Sequence, residues 1–272
     1  MSTSIGAITG IVFEAIDNAH QIEPITADHP DFSEADAYAV TAGLRAKRSA
    51  RSEKSVGRKI GFTNRTIWEE YGVYAPIWGD VYDSTVYHTA DDASGTLSLA
   101  GLCEPRIEPE IVFGVGAGIR EDMDDGELIA ALDWVAHGFE IVQSIYPDWQ
   151  FQIADTIACG ALHGRMIVGP KTGISDWQPA DLARDLAEFT IELSCNGEHV
   201  DTGAGANVLD SPLNALRHLA AVLDDDPYNS PVAAGEIITT GTLTRAFPVS
   251  AGERWTTQLS GLELPGLNVA FS

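Results

Sequence analysis

Arg106-Ile107-Glu108-Pro109-Glu110-Ile111-Val112-Phe113 is the stretch on which the fold turns, together with Gly138-Phe139-Glu140-Ile141-Val142 further along. Both runs are rich in β-branched and aromatic residues, the composition of strands. Strand side chains alternate between faces. Ile107, Ile111 and Phe113 therefore share one face, and Arg106, Glu108 and Glu110 share the other. Two carboxylates roughly 7 Å apart along one strand then point the same way. Glu140 adds a third acid inside an apolar strand. Buried acids are costly unless a cation neutralises them. A hard divalent ion such as Mg²⁺ or Mn²⁺ suits an all-oxygen ligand set. The alternative is a solvated edge strand with an unrelated glutamate, and the pattern alone leaves both open.

Outward from this pair, short β-like runs alternate with Gly and Pro punctuation from about residue 57 onward. They fall at 57–63, 77–86, 106–115, 138–145, 165–169, 188–195, 236–240 and 253–259. Two helices interrupt them. One is expected over 125–136, with Leu128, Leu132 and Val135 on one face behind an Asp124 or Asp125 cap. The other is expected over 211–223, with Asp210 as cap and Pro212 in the first turn. Before residue 57, apolar spacing predicts a helix over 7–19. Ser33-Glu34-Ala35-Asp36 starts another, carrying Ala37, Val40 and Leu44. Many strands with few helices exclude a doubly wound fold and predict an α+β protein with an irregular, mostly antiparallel sheet core.

The 272 residues carry a net charge of −24, with 44% hydrophobic residues. That composition fits a globular protein. The charge opposes nucleic-acid and anionic-membrane partners, which need excess Lys and Arg. An anionic ligand would need local cations. The basic patch from Arg45 to Arg58 reads as a solvated helix face, Arg58 excepted, and the Asp124-Asp125 and Asp224-Asp225-Asp226 clusters as solvated helix ends. Cys103, Cys159 and Cys195 are odd in number and widely spaced, which argues against a disulfide framework or structural zinc. No leader-like segment or membrane span is evident, so a cytoplasmic location is expected.

Three further segments carry candidate chemistry. Gly57-Arg58-Lys59-Ile60-Gly61-Phe62-Thr63-Asn64 sets a lysine in a β-like run, either as proton donor and anion anchor or as a solvated strand residue. His163, followed by Gly164, is a histidine at a turn, either an acid–base group or a hydrogen-bonded structural residue. Gly235-Glu236-Ile237-Ile238-Thr239-Thr240-Gly241-Thr242 ends in small residues whose N–H and hydroxyl groups can hold a carboxylate.

The ordered set GRKIGFTN, PRIEPEIVF, WVAHGFEIV, the Asp148-Trp149 to Asp155-Thr156 segment, SPLNAL at 211–216, GEIITTGT and AGER at 251–254 resembles the fumarylacetoacetate hydrolase superfamily. The branch is that of 2-keto-4-pentenoate (2-hydroxypenta-2,4-dienoate) hydratases and 4-oxalocrotonate decarboxylases. The resemblance implies a mixed β-roll at 76–272 with an N-terminal helical portion at 1–75, integrated in one unit, and a homo-oligomer. It implies Mg²⁺ or Mn²⁺ on Glu108, Glu110 and Glu140, with Lys59 in the active site and Gly61, Phe62, Arg106 and Thr242 lining the substrate site. The implied activity is a hydro-lyase acting on a small unsaturated 2-oxo or 2-hydroxydienoic acid in aromatic-compound catabolism. Decarboxylation of a 2-oxo diacid, C–C hydrolysis of an acylpyruvate, or service as a non-catalytic partner subunit are the alternatives. Two departures stand out. Ile77 occupies a position that is usually acidic in the hydratases, with Asp80 nearby, and Cys159-Gly160-Ala161-Leu162 replaces an Asp-Asn-Ala-Ser run. His163 follows where a small residue is expected, and becomes a candidate acid–base group on that ground.

Overall fold

The computed structural model describes residues 4–224, 226 and 229–272. Its helices are α1 (Ile5–Asp17), α2 (Ile25–Asp28), α3 (Glu34–Ala50), α4 (Trp68–Tyr71), α5 (Asp125–Ala130), α6 (Ile153–Ala158), α7 (Pro179–Glu188) and α8 (Pro212–Asp224). The strands begin with β1 (Ser55–Gly61), β2 (Ile77–Tyr82), β3 (Val86–His88), β4 (Ser94–Leu97), β5 (Arg106–Val115), β6 (Leu132–Val142) and β7 (His163–Val168). They continue with β8 (Thr172–Gly173), β9 (Thr190–Cys195), β10 (Glu198–Ala204), β11 (Ile237–Thr242), β12 (Phe247–Pro248), β13 (Arg254–Ser260) and β14 (Asn268–Phe271).

The larger sheet runs β2-β1-β11-β5-β6-β7-β3, with β12 against β5 and β8 against β6. It is mixed, since β1 pairs parallel to β11 and β3 parallel to β7 while the other neighbours are antiparallel. A second sheet runs β10-β9-β13-β14-β4. The two meet through Ile107, Phe139, Ile141 and Ile167 on one side and Leu193, Trp255, Val269 and Phe271 on the other. Alternation on β5 and β6 produces this interface: the apolar face seals the sheets together and the acidic face is left on the opposite side. Such close packing of fully buried side chains is what fixes the register, because a one-residue slip would exchange the faces. This is the α+β, mixed-sheet architecture expected from the sequence.

The N-terminal helices pack on α6 and the β6 end through Val12, Ala15, Val40, Val142 and Ile157. Ser33 and Asp36 form a reciprocal cap at the start of α3, as the sequence predicts. The basic patch differs from expectation. Arg45 pairs with Asp80 at 2.8 Å, Arg48 with Glu53 at 2.7 Å and Arg51 with Asp17 at 2.5 Å, and Lys47 and Arg51 lie over the Phe13 ring. Acids find these three arginines, and the Arg45–Asp80 pair ties α3 to β2. Asp124 caps α5 and Asp224 ends α8, while Asp225 lies outside the described residues.

The helix predicted over 125–136 is shorter. The Asp124–Glu127 capping box starts α5, which ends at Ala130, and Leu132 and Val135 belong to β6. Pairing of β6 with β5 along its length overrides the helical spacing. The helices α6 and α7 were not foreseen. In α7, Pro179 opens the helix and Leu182 and Leu186 are its buried stripe.

Candidate metal and substrate site

Five adjacent strands of the larger sheet, β1, β11, β5, β6 and β7, bring the candidate residues together. Glu108 on β5 sits directly opposite Glu140 on β6. Glu110 is opposite Gly138 on β6 and Thr242 on β11. Lys59 on β1 is opposite Thr239 on β11, and His163 opens β7 opposite Val142. One ligand atom from each of Glu108, Glu110 and Glu140 lies within 4.8 Å of the others. Glu110 and Glu140 are fully buried and Glu108 is half-buried. Like charges placed opposite one another across strands repel.

Each buried carboxylate has one oxygen held and one left over. Glu110 Oε2 accepts from the Thr239 hydroxyl and from the Gly241 N–H at 2.8 Å. Glu140 Oε1 accepts from His163 Nδ1–H at 2.8 Å. Glu110 Oε1 and Glu140 Oε2 have no hydrogen-bond donor. Lys59 Nζ stands 3.2 Å from Glu140 Oε2, an ion-pair distance without hydrogen-bond alignment. Buried polar atoms left without partners are rare and ask for a reason. Hard oxygen donors converging with unsatisfied atoms fit a divalent cation of the Mg²⁺, Mn²⁺ or Ca²⁺ kind.

Gly241 is necessary to this arrangement. Its φ of 100° lies in the left-handed region, and a Cβ there would stand 1.9 Å from Thr63 Oγ1. Only glycine aims this N–H at Glu110 without a clash. The Thr-Gly turn, read in the sequence as a carboxylate holder, holds a carboxylate of the protein itself. Thr239 and Gly241 were not named individually from sequence, because their role depends on the register of β11 against β5.

The electrostatics follow from burial and crowding. Burial first, then the Glu140 charge, pushes the Glu108 carboxyl up to about 7 against the pull of Lys59 and Arg106. Burial and the two neighbouring acids raise Glu110 well above the carboxylate range. Burial opposes ionisation of Glu140 too, but Lys59 and His163 outweigh it and its pKa is lowered. Burial would discharge Lys59; the charges of Glu140, Glu108 and Glu110 overcome that and raise its pKa. With these acids ionised, Lys59 is held as an ammonium beside Glu140.

A cavity opens beside this cluster. Lys59, Glu108, Gly61, Phe62 and Thr242 line it, and so do Ile67, Val142, Trp149, Ala161, Leu162 and Ala246. Four of these, Phe62, Trp149, Ala161 and Leu162, have φ between 55° and 63°. Each such non-glycine residue costs about 1–3 kcal/mol and tends to persist where function demands it. Phe62 was expected in the lining, whereas Ile67, Trp149, Ala161, Leu162 and Ala246 were not named for it, because irregular backbone brings them in and no periodicity marks them.

Two expected site residues adjoin the acids without lining this cavity. Arg106 is not in the lining; its guanidinium is stacked 4.2 Å from the Trp149 ring centroid. His163 faces a separate cleft lined by Ile16, Leu44, Tyr82 and Cys159 as well as Arg48 and Asp80. Its Nδ1 is engaged by Glu140 and its Nε2 lies 2.8 Å from Thr85 Oγ1. Asp80, close in sequence to the usual hydratase acid, is bound to Arg45 and Ser55 on that side.

Comparison with known proteins adds to this geometry. Residues 91–264 match the fumarylacetoacetate (FAA) hydrolase C-terminal family. The chain is 35% identical over 257 residues to a 2-hydroxyhexa-2,4-dienoate hydratase of Comamonas testosteroni, covering 92% of each chain. It is 35% identical over 254 residues to a 4-oxalocrotonate decarboxylase of Pseudomonas sp. (strain CF600), again covering 92% of each. Among solved structures, the 4-oxalocrotonate decarboxylase of Pseudomonas putida G7, complexed with magnesium and adipate, superimposes with a TM-score of 0.88 at 30% identity, covering 100% of this chain and 99% of that one. Among the described residues no helix is long and apolar enough to cross a membrane.

Proposed function

Since the chain belongs to the fumarylacetoacetate hydrolase family, we propose that it is a divalent-metal-dependent hydro-lyase acting on a small unsaturated 2-oxo or 2-hydroxydienoic acid from aromatic-compound breakdown. The observation that carries this reading is the convergence of Glu108, Glu110 and Glu140 at one end of a cavity, with Glu110 Oε1 lacking a donor and Glu140 Oε2 facing the Lys59 ammonium.

Glu108, Glu110 and Glu140 would hold Mg²⁺ or Mn²⁺. Such an ion would neutralise the three acids and draw electrons from the 2-oxo acid end of a substrate. Lys59 supplies a fixed positive charge to the substrate carboxylate and to negative charge developing on the adjacent oxygen. Thr239 and Gly241 fix Glu110, and His163 fixes Glu140, so that the acids are oriented before substrate arrives. The Phe62, Trp149 and Leu162 side chains exclude bulk water from the chain of the substrate. In the reaction itself, ketonisation moves the enol proton to the far carbon. Water then adds across the remaining double bond, giving a 4-hydroxy-2-oxo acid with atoms balanced.

A second reading, decarboxylation of a 2-oxo diacid, is favoured by the closeness of the adipate-bound decarboxylase structure in fold. The other uses of this scaffold are C–C hydrolysis of an acylpyruvate and a non-catalytic partner role. The protein acts as one integrated unit, a reading supported by β1, which carries Lys59 from before residue 76 into the sheet between β2 and β11. It works as a cytoplasmic homo-oligomer on a free small molecule, and the net charge of −24 supports the absence of nucleic-acid partners.

The test is turnover of 2-hydroxypenta-2,4-dienoate, oxalocrotonate and an acylpyruvate by the purified protein with Mg²⁺, Mn²⁺ or EDTA. Dienoate should disappear only with metal, and its product should gain the mass of one water. Release of CO₂ or of two acids reassigns the reaction, and no turnover of any substrate with either metal rejects the enzymatic reading.

A further inference from the structure

We propose that the cavity selects a monocarboxylate whose tail is apolar and rejects an acid carrying a second carboxylate. This rests on the metal-dependent 2-oxo acid reading and narrows its substrate class. A 2-oxo acid bound at the glutamate end places its carboxylate near Lys59, the one cationic side chain among the described lining residues. The rest of its chain meets Phe62, Ile67, Val142, Trp149, Leu162 and Ala246. The Trp149 Nε1–H and the Thr242 hydroxyl of the lining are already given to the Glu104 and Thr244 carbonyls, at 3.2 and 3.1 Å, so these walls offer a distal carboxylate neither a cation nor a free side-chain donor. An ion buried without a partner is strongly disfavoured, whereas a methyl or vinyl end gains from burial.

The backbone supports the same conclusion independently. Phe62, Trp149 and Leu162 keep large apolar side chains at left-handed positions where glycine would be less strained. Trp149 is further fixed by its neighbours. Its Nε1–H donates to the Glu104 carbonyl at 3.2 Å, the Asp148 N–H donates to Glu104 Oε1 at 3.2 Å, and Arg106 stacks on the ring. Arg106 thus braces the wall. Arg65, on the turn that presents Ile67, is turned to solvent and pairs with Asp210 at 3.0 Å.

The experiment is calorimetric titration of the wild-type protein with 2-oxohexanoate and 2-oxoadipate, each with Mn²⁺ and with EDTA. The two acids have equal chain length and differ in the second carboxylate. Mn²⁺ binding is followed separately by its paramagnetic resonance signal. The monoacid should bind at least about tenfold more tightly, and only with metal. Equal or tighter binding of the diacid overturns the proposal and leaves the metal-dependent 2-oxo acid reading standing. Bound Mn²⁺ with no affinity for either acid overturns both. The variant Ala246→Arg, checked for an unchanged far-UV spectrum, should raise the ratio of diacid to monoacid affinity about tenfold, through tighter diacid binding. Unchanged diacid affinity in that folded variant also counts against the assignment.

Discussion

His163 Nδ1 donates to Glu140 Oε1 at 2.8 Å, and this bond orients a carboxylate whose other oxygen faces Lys59. The histidine stands behind the acid, away from the cavity that substrate would enter. Loss of a group that orients a metal ligand typically costs about 10–100-fold in metal affinity or activity. His163→Ala should therefore weaken Mn²⁺ binding by that order, and saturating metal should restore most of kcat. A kcat that stays low at saturating metal, with unchanged metal affinity, would show instead that the imidazole moves protons.

Glu110→Gln keeps the size of the side chain and removes its charge. We expect loss of metal-dependent turnover and of any metal-induced rise in Tm. In the wild type, a ligand at about 100 times its Kd stabilises by about 2.7 kcal/mol, so Mg²⁺ or Mn²⁺ should raise Tm and EDTA should reverse the rise. A wild-type melt indifferent to both ions would argue against the glutamate trio as a metal centre.

Gly241→Ala places a methyl 1.9 Å from Thr63 Oγ1 on a backbone with φ of 100°. The strain should destabilise the fold by at least about 1–3 kcal/mol. Because the same N–H holds Glu110, metal affinity should fall as well. Thermal melts and metal titration together check this, and a neutral substitution would show that the turn relaxes freely.

His218 gives a pH prediction remote from the glutamates. Burial lowers its pKa below the ordinary value, partly offset by its bond to the Pro76 carbonyl. The unfolded chain therefore takes up the proton first as pH falls. The stability from neutral His218 is fully present above the unfolded value of about 6.5 and is lost as pH drops from there through the lower folded value. His218→Gln should flatten the decline of stability below about pH 6.5, measured by urea unfolding across pH. An unaltered slope would assign that decline to other groups.

Much of the metal cluster was legible because strand alternation is a strict rule. Glu108 and Glu110 fall on one face of β5 whatever the tertiary structure, and an acid inside β6 had to be explained. Leu132 and Val135 show the limit, since their spacing fits a helix face as well as a strand and only pairing with β5 decides. Arg106 shows another. Its place on the acidic face is set by alternation, but its end point on the Trp149 ring depends on a loop that sequence periodicity does not describe. The same holds for the histidine, whose partner Glu140 belongs to a neighbouring strand.

The left-handed loop residues that wall the cavity are separate from the strands that hold the acids. Mutations can therefore remodel Trp149, Leu162 or Ala246 without shifting Glu108, Glu110 or Glu140. Preference for the tail of the acid can thus be altered in small steps while the reactive core stays intact.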